Sequence, residues 1–144
     1  MIKKITAVAL AFVFVLVSFG CKPSGKYGDL KEYLNDFIEV NLEYISALEK
    51  ANSAKEVAEA ITELGNDMEK LSKKGKEIEK KYPDLKSIKK NPPVELKEEF
   101  EKLDQMTQKF LTVSMKMMKY MMDPEVMKAS QELTKKKVES DAVK

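Results

Sequence analysis

From Asp29 onward, apolar residues recur at steps of three and four, the spacing of one face of an α-helix. Leu30, Leu34, Phe37, Asn41, Tyr44, Leu48 and Ala51 mark the first stripe, and Tyr33, Ile38 and Ile45 widen it. With Asp29 as its N-cap, this predicts a helix from about Leu30 to Ala51. Asn52-Ser53 then interrupts, and Ser53 followed by Glu56 has the spacing of a capping box. A step of seven from Leu48 lands on Lys55, whereas the next stripe begins at Val57. A short break with a phase slip predicts an antiparallel helical hairpin; one long bent helix is the alternative.

The second stripe is the most regular: Val57, Ile61, Leu64, Met68, Leu71, Gly75, Ile78 and Tyr82 alternate by four and three. Glu69–Lys73 and Glu77–Lys81 are favourable pairs on its solvent side. Gly75 occupies a core position despite a helix cost of about 1 kcal/mol, which implies close packing there. Pro83 ends the helix, and Pro83 to Pro93 reads as a loop whose Leu85 and Ile88 tuck against the bundle end. Pro93 opens a third helix with the stripe Leu96, Phe100, Leu103, Thr107, Phe110, Ser114, Met117 and Met121. It runs to about Met122, roughly 45 Å of helix. Asp123-Pro124 opens a short fourth helix with Val126, Met127, Ser130 and Leu133 on its apolar face. Lys135 to Lys137 favour the dipole of its last turns, and Glu139 to Lys144 should fray. No strand pattern appears. The predicted fold is all-α: an antiparallel helical bundle of three long helices plus a short C-terminal helix.

The chain before Asp29 has a different character. Lys3 and Lys4 precede an apolar stretch from Ile5 to Phe19, short for a membrane span, and small residues lead to Cys21, the only cysteine. This pattern resembles a bacterial lipoprotein signal peptide, in which the cysteine becomes the lipidated N-terminus. Ser18 and Phe19 depart from the usual lipobox, while Gly20 fits it. Ordinary cleavage after Gly20 is the other reading, since Ser18 and Gly20 are small residues at the required spacing. Residues 1–20 are thus expected to be a signal peptide and residues 21–28 a lipidated tether rich in Pro, Ser, Gly and Lys. Residues 29–144 form the helical domain. The resemblance implies a cell-envelope location, lipid-anchored to a bacterial membrane on its periplasmic or surface face.

Composition then removes function classes. Setting aside Lys3 and Lys4, 24 of the 26 basic residues face 24 acidic ones, a balance unlike that of a nucleic-acid binder. Every basic residue is lysine, so no guanidinium fork exists for bidentate phosphate or carboxylate recognition. There is no histidine, the commonest general base and a ligand of haem and di-iron bundles. With Cys21 acylated, no thiol remains for catalysis or redox work. No motif gathers Asp, Glu, Lys, Tyr or Ser into a catalytic set. The sequence predicts neither an enzyme nor a cofactor.

The unusual local feature is methionine: seven of nine lie between positions 106 and 127. Thioethers are soft ligands for Cu(I), but such sites commonly add His or Cys, so no metal site is assigned. Methionine also packs irregular gaps and makes adaptable apolar surface. In the second half of the third helix, Leu111, Met115, Met118 and Met122 add a row beside Phe110, Met117 and Met121. A wider apolar arc needs a further partner, which the fourth helix is expected to supply by folding back over it. Incomplete cover would leave Leu111, Met115, Met118 and Met122 as a ligand groove. The acidic run Glu95, Glu98, Glu99 and Glu101 reads as a solvated, helix-starting face. The expected function is a non-enzymatic, membrane-anchored envelope lipoprotein acting as a protein-interaction or structural module. The alternative is a carrier of an apolar ligand or lipid, less readily Cu(I), in the Met-rich groove.

Overall fold

The computed structural model describes residues 25–142, with side chains to Val138; Cys21 and the segment before it lie outside the described residues. All regular structure among them is helical. Four main helices are α1 (Gly28–Lys50), α2 (Ala54–Lys81), α4 (Lys97–Met117) and α5 (Pro124–Ala142), with a short α3 (Leu85–Lys90) between the second and third of them. Single 3₁₀ turns, Val94–Leu96 and Met118–Tyr120, extend α4 at both ends into one joined segment.

The break after α1 has the expected chemistry. Ser53 Oγ accepts the Glu56 amide at 3.2 Å, while Glu56 Oε2 accepts the amides of Asn52 at 2.7 Å and Ser53 at 3.2 Å. Such a cap is worth about 1 kcal/mol. The amide of Asn52, then the groups of Ser53, hold the Glu56 carboxyl below the usual carboxylate range. That share of stability is therefore present above the range and is lost as pH falls through the folded-state pKa. The hairpin is antiparallel, as Asp29 pairs with Lys81, and Lys74 bridges Glu32 at 2.8 Å and Asp36 at 2.6 Å. Asp29 is not the N-cap; Tyr27 stands there without a side-chain cap, and Asp29 sits in the first turn. Tyr27 stacks on Tyr82 and the Tyr82 hydroxyl donates to the Lys26 carbonyl, so the last residues of the expected tether pack on the domain.

Pro83 to Pro93 is not a bare loop. Its α3 turns Ile88 into the bundle end and half-buries Leu85. There Leu30, Ile78, Tyr82, Ile88 and Leu96 form one core cluster. A second, larger cluster at the other end joins Ile45, Leu48, Val57, Ile61, Met106, Val113, Met117 and Val126.

Consecutive main helices reverse direction, but the lateral neighbours differ from a simple antiparallel bundle. α4 packs along α1 in the same direction: Lys31 reaches Glu99 near one end, and Lys116 Nζ donates to the Glu49 carbonyl at 2.6 Å near the other. α5 leaves from the end where α2 begins and reaches Gly65 with Leu133, so it runs parallel to α2. The C-terminal helix is the shortest of the four, yet its backbone stays helical to Ala142, past the expected fraying point.

Candidate binding surfaces

The fourth helix does not cover the Met-rich row. Leu111 is 56 %, Met115 75 %, Met118 70 % and Met122 83 % exposed, so the expectation of core packing for these residues is corrected. α5 packs on α2 instead. Gly65 has no side chain, and a Cβ there would stand 3.3 Å from Leu133, so α2 offers α5 a close seat. Val126 and Ala129 are buried, Leu133 lies at the cluster edge, and Lys136 reaches Asn66 at 2.6 Å and Glu69 at 3.3 Å. Met127, expected on the inner face, is exposed instead.

The predicted stripe keeps Leu96 and Met117 in the core, but the middle of α4 differs from it. Its inward residues are Met106, Val113 and Met117, rather than Thr107 and Ser114. Phe110, at the edge, tilts against Tyr44 with ring centroids 6.2 Å apart. The apolar arc therefore continues out of the core past Phe110 and Met121 onto the row Leu111, Met115, Met118 and Met122. Lysines 109, 116 and 119 follow on the polar side of the helix. This surface is an open helix face rather than a groove.

A concave feature lies elsewhere. Between the two core clusters, α1, α2 and α5 border a cleft of about 820 Å³. Leu64, Met68 and Leu71, expected in the core, line it together with Leu133. Gly75 lies under the Tyr33 ring, where a Cβ would stand 2.9 Å from the hydroxyl oxygen. Burial first, then the nearby Glu79 carboxylate, pushes the Tyr33 hydroxyl pKa upward. Lys76, Lys80, Lys136 and Lys137 stand on the rim with Glu69 and Glu79. Sequence periodicity identified the lining residues but not their partial cover. Gly65, unremarked in the sequence, was the available signal.

Glu99 departs from the solvated face assigned to its acidic run. It is 1 % exposed, with Oε1 3.1 Å from Lys31 Nζ and no hydrogen-bond partner for Oε2 among the described residues. Glu95, Glu98 and Glu101 are exposed, and Glu98 pairs with Lys102 at 2.6 Å. Among the described residues, no group of three His, Cys, Asp or Glu side chains is placed to hold a metal ion. No described helix is long and apolar enough to cross a membrane. The chain matches no family model, no curated protein and no solved structure.

Proposed function

We propose that the chain is a non-enzymatic carrier of an apolar ligand or lipid, held in a bacterial cell envelope through a lipidated Cys21. The observation that carries this reading is the exposure of Leu111, Met115, Met118 and Met122 on one helix face. Flexible, polarisable methionine suits partners without a fixed shape. A contiguous exposed apolar patch is a binding site more often than an accident of packing. Because the row is open, it suits contact with an extended lipid surface, with Lys119 on its polar flank for anionic headgroups. The four-three-four spacing of the row also supports the protein-interaction reading, in which a partner's helix packs along it as a seam.

Met118→Lys tests the face directly. A side chain this exposed tolerates a charge, so thermal melts should stay within about 0.5 kcal/mol of wild type. Flotation of the unacylated domain with vesicles of neutral phospholipid should nevertheless fall several-fold. A large loss of stability would mean that the row is covered; unchanged flotation would favour the helical partner. The anchor has its own test. Three acyl chains, at roughly 0.8 kcal/mol per buried CH₂, exceed the two signals needed for stable attachment. Cys21→Ala should therefore move the protein from the membrane to the soluble fraction. An unmodified Cys21 by intact mass would refute the anchor.

A further inference from the structure

We infer that Met115, Met118 and Met122 are sites of reversible oxidation, and that their sulfoxides close the Met-rich face to apolar partners. This rests on the reading of that face as a lipid-contact surface and supplies its regulation. Seven of the nine methionines lie between positions 106 and 127. Two of the seven, Met106 and Met117, are core residues, 9 % and 4 % exposed. The other five are exposed: Met115, Met118 and Met122 by at least 70 %, Met121 by 53 % and Met127 by 44 %. Leucine would give the outer row the same apolar character and a similar helix propensity. What methionine adds is a thioether open to water.

Hydrogen peroxide is the oxidant that this chemistry requires. A sulfur lone pair attacks one peroxide oxygen, and the S–O bond forms as the O–O bond breaks. The proton of the transferred oxygen passes to the departing hydroxide, which leaves as water. Sulfur loses two electrons and the peroxide gains them. A sulfoxide reductase reverses the change: two of its thiols are oxidised to a disulfide, and the oxygen leaves as water. Exposure sets the order of reaction, so the outer three methionines react first while the core shields Met106 and Met117. It also sets the consequence. A sulfoxide in the core would disrupt packing, whereas one on an open helix face turns an apolar side chain polar and leaves the fold intact. Met115, Met118 and Met122 share one face, so three sulfoxides interrupt the whole row beside Leu111.

Peroxide treatment of the mature chain carrying Cys21→Ala, which has neither acyl chains nor a thiol, tests the assignment. Peptide mapping by mass spectrometry should find Met115, Met118 and Met122 oxidised first, about tenfold faster than Met106 and Met117. At that stage thermal melts should be unchanged. Affinity for vesicles of neutral phospholipid should fall about tenfold, and retention on a hydrophobic-interaction column should shorten. Sulfoxide reductases, one for each sulfur epimer, should restore both. Met115→Leu, Met118→Leu and Met122→Leu, made together, should preserve vesicle binding and remove most of its sensitivity to peroxide. Oxidation of Met106 or Met117 as fast as the outer three overturns the proposal, as does full peroxide sensitivity in the leucine variant. Should the unoxidised chain bind no vesicles, the lipid reading falls, and the order of oxidation together with column retention still decides this proposal. Vesicle binding that survives oxidation leaves the lipid reading standing and removes the switch.

Discussion

Lys31→Ala is expected to destabilise the domain by about 3 kcal/mol, a large effect for a residue on a helix surface. The cost does not come from the ion pair itself. Lys31 is about one-third exposed, and solvent screens what its charge contributes in the intact protein. It comes from Glu99, whose carboxylate is fully buried and already has one oxygen without a partner. Removing the lysine leaves that charge uncompensated, and breaking a buried pair in this way typically costs 3–5 kcal/mol, roughly. Replacing the carboxylate behaves differently. Glu99→Leu removes the buried charge and the orphaned oxygen together, so it should be near-neutral or stabilising. In the Glu99→Leu background, Lys31→Ala should then cost less than about 1 kcal/mol, and urea melts of the four proteins give the coupling directly. A Lys31→Ala loss near 1 kcal/mol in the parent chain would show that the pair is worth no more than an ordinary hydrogen bond.

The same pair marks the limit of what the sequence discloses. The α1–α2 hairpin was legible because its signals are local: Ser53 and Glu56 three residues apart, a phase slip at Lys55, and a regular stripe from Val57 to Tyr82. The start of α5 was legible for the same reason, and Asp123 Oδ1 accepts the Glu125 amide at 2.9 Å. What failed was the choice of neighbour. Glu99 stands in a run of acidic residues that looks solvated, and its partner Lys31 lies on a different helix. On α4, Met106 and Val113 adjoin Thr107 and Ser114; the predicted stripe runs through the latter pair, while the former pair is buried. Above all, two apolar surfaces competed for α5. Periodicity shows that the Met-rich row and the Leu64–Met68 side of α2 are both apolar, but not which one the last helix covers. In the structure α5 takes the α2 side, where Leu133 comes so close to Gly65 that a Cβ would stand 3.3 Å from it. The methionines of the candidate site could be named from the sequence, while their exposure depended on packing elsewhere.

Val126 is the residue on which the docking of α5 turns. Val126 is fully buried within the cluster that also holds Ala60, Ile61 and Ala129. Val126→Asp places an unpaired carboxyl there, and the desolvation of such a group, added to the lost packing, should cost about 4 kcal/mol. An isolated helix of this length has little stability of its own in water, so α5 should melt where it undocks rather than swing away intact. Hydrogen exchange separates local from global loss. Amides of α5 should lose protection first, while α1 and α2, tied by Lys74 to Glu32 and Asp36 and by Lys81 to Asp29, keep theirs. Gln131→Asp, on the exposed side of the same helix, should change stability by no more than about 0.5 kcal/mol. A Val126→Asp loss below about 1 kcal/mol, with α5 still protected, would mean that the helix is held by its lysines and Leu133 alone. A simultaneous loss of protection across all four helices would instead make α5 part of a single cooperative unit, with α2 unable to stand without it.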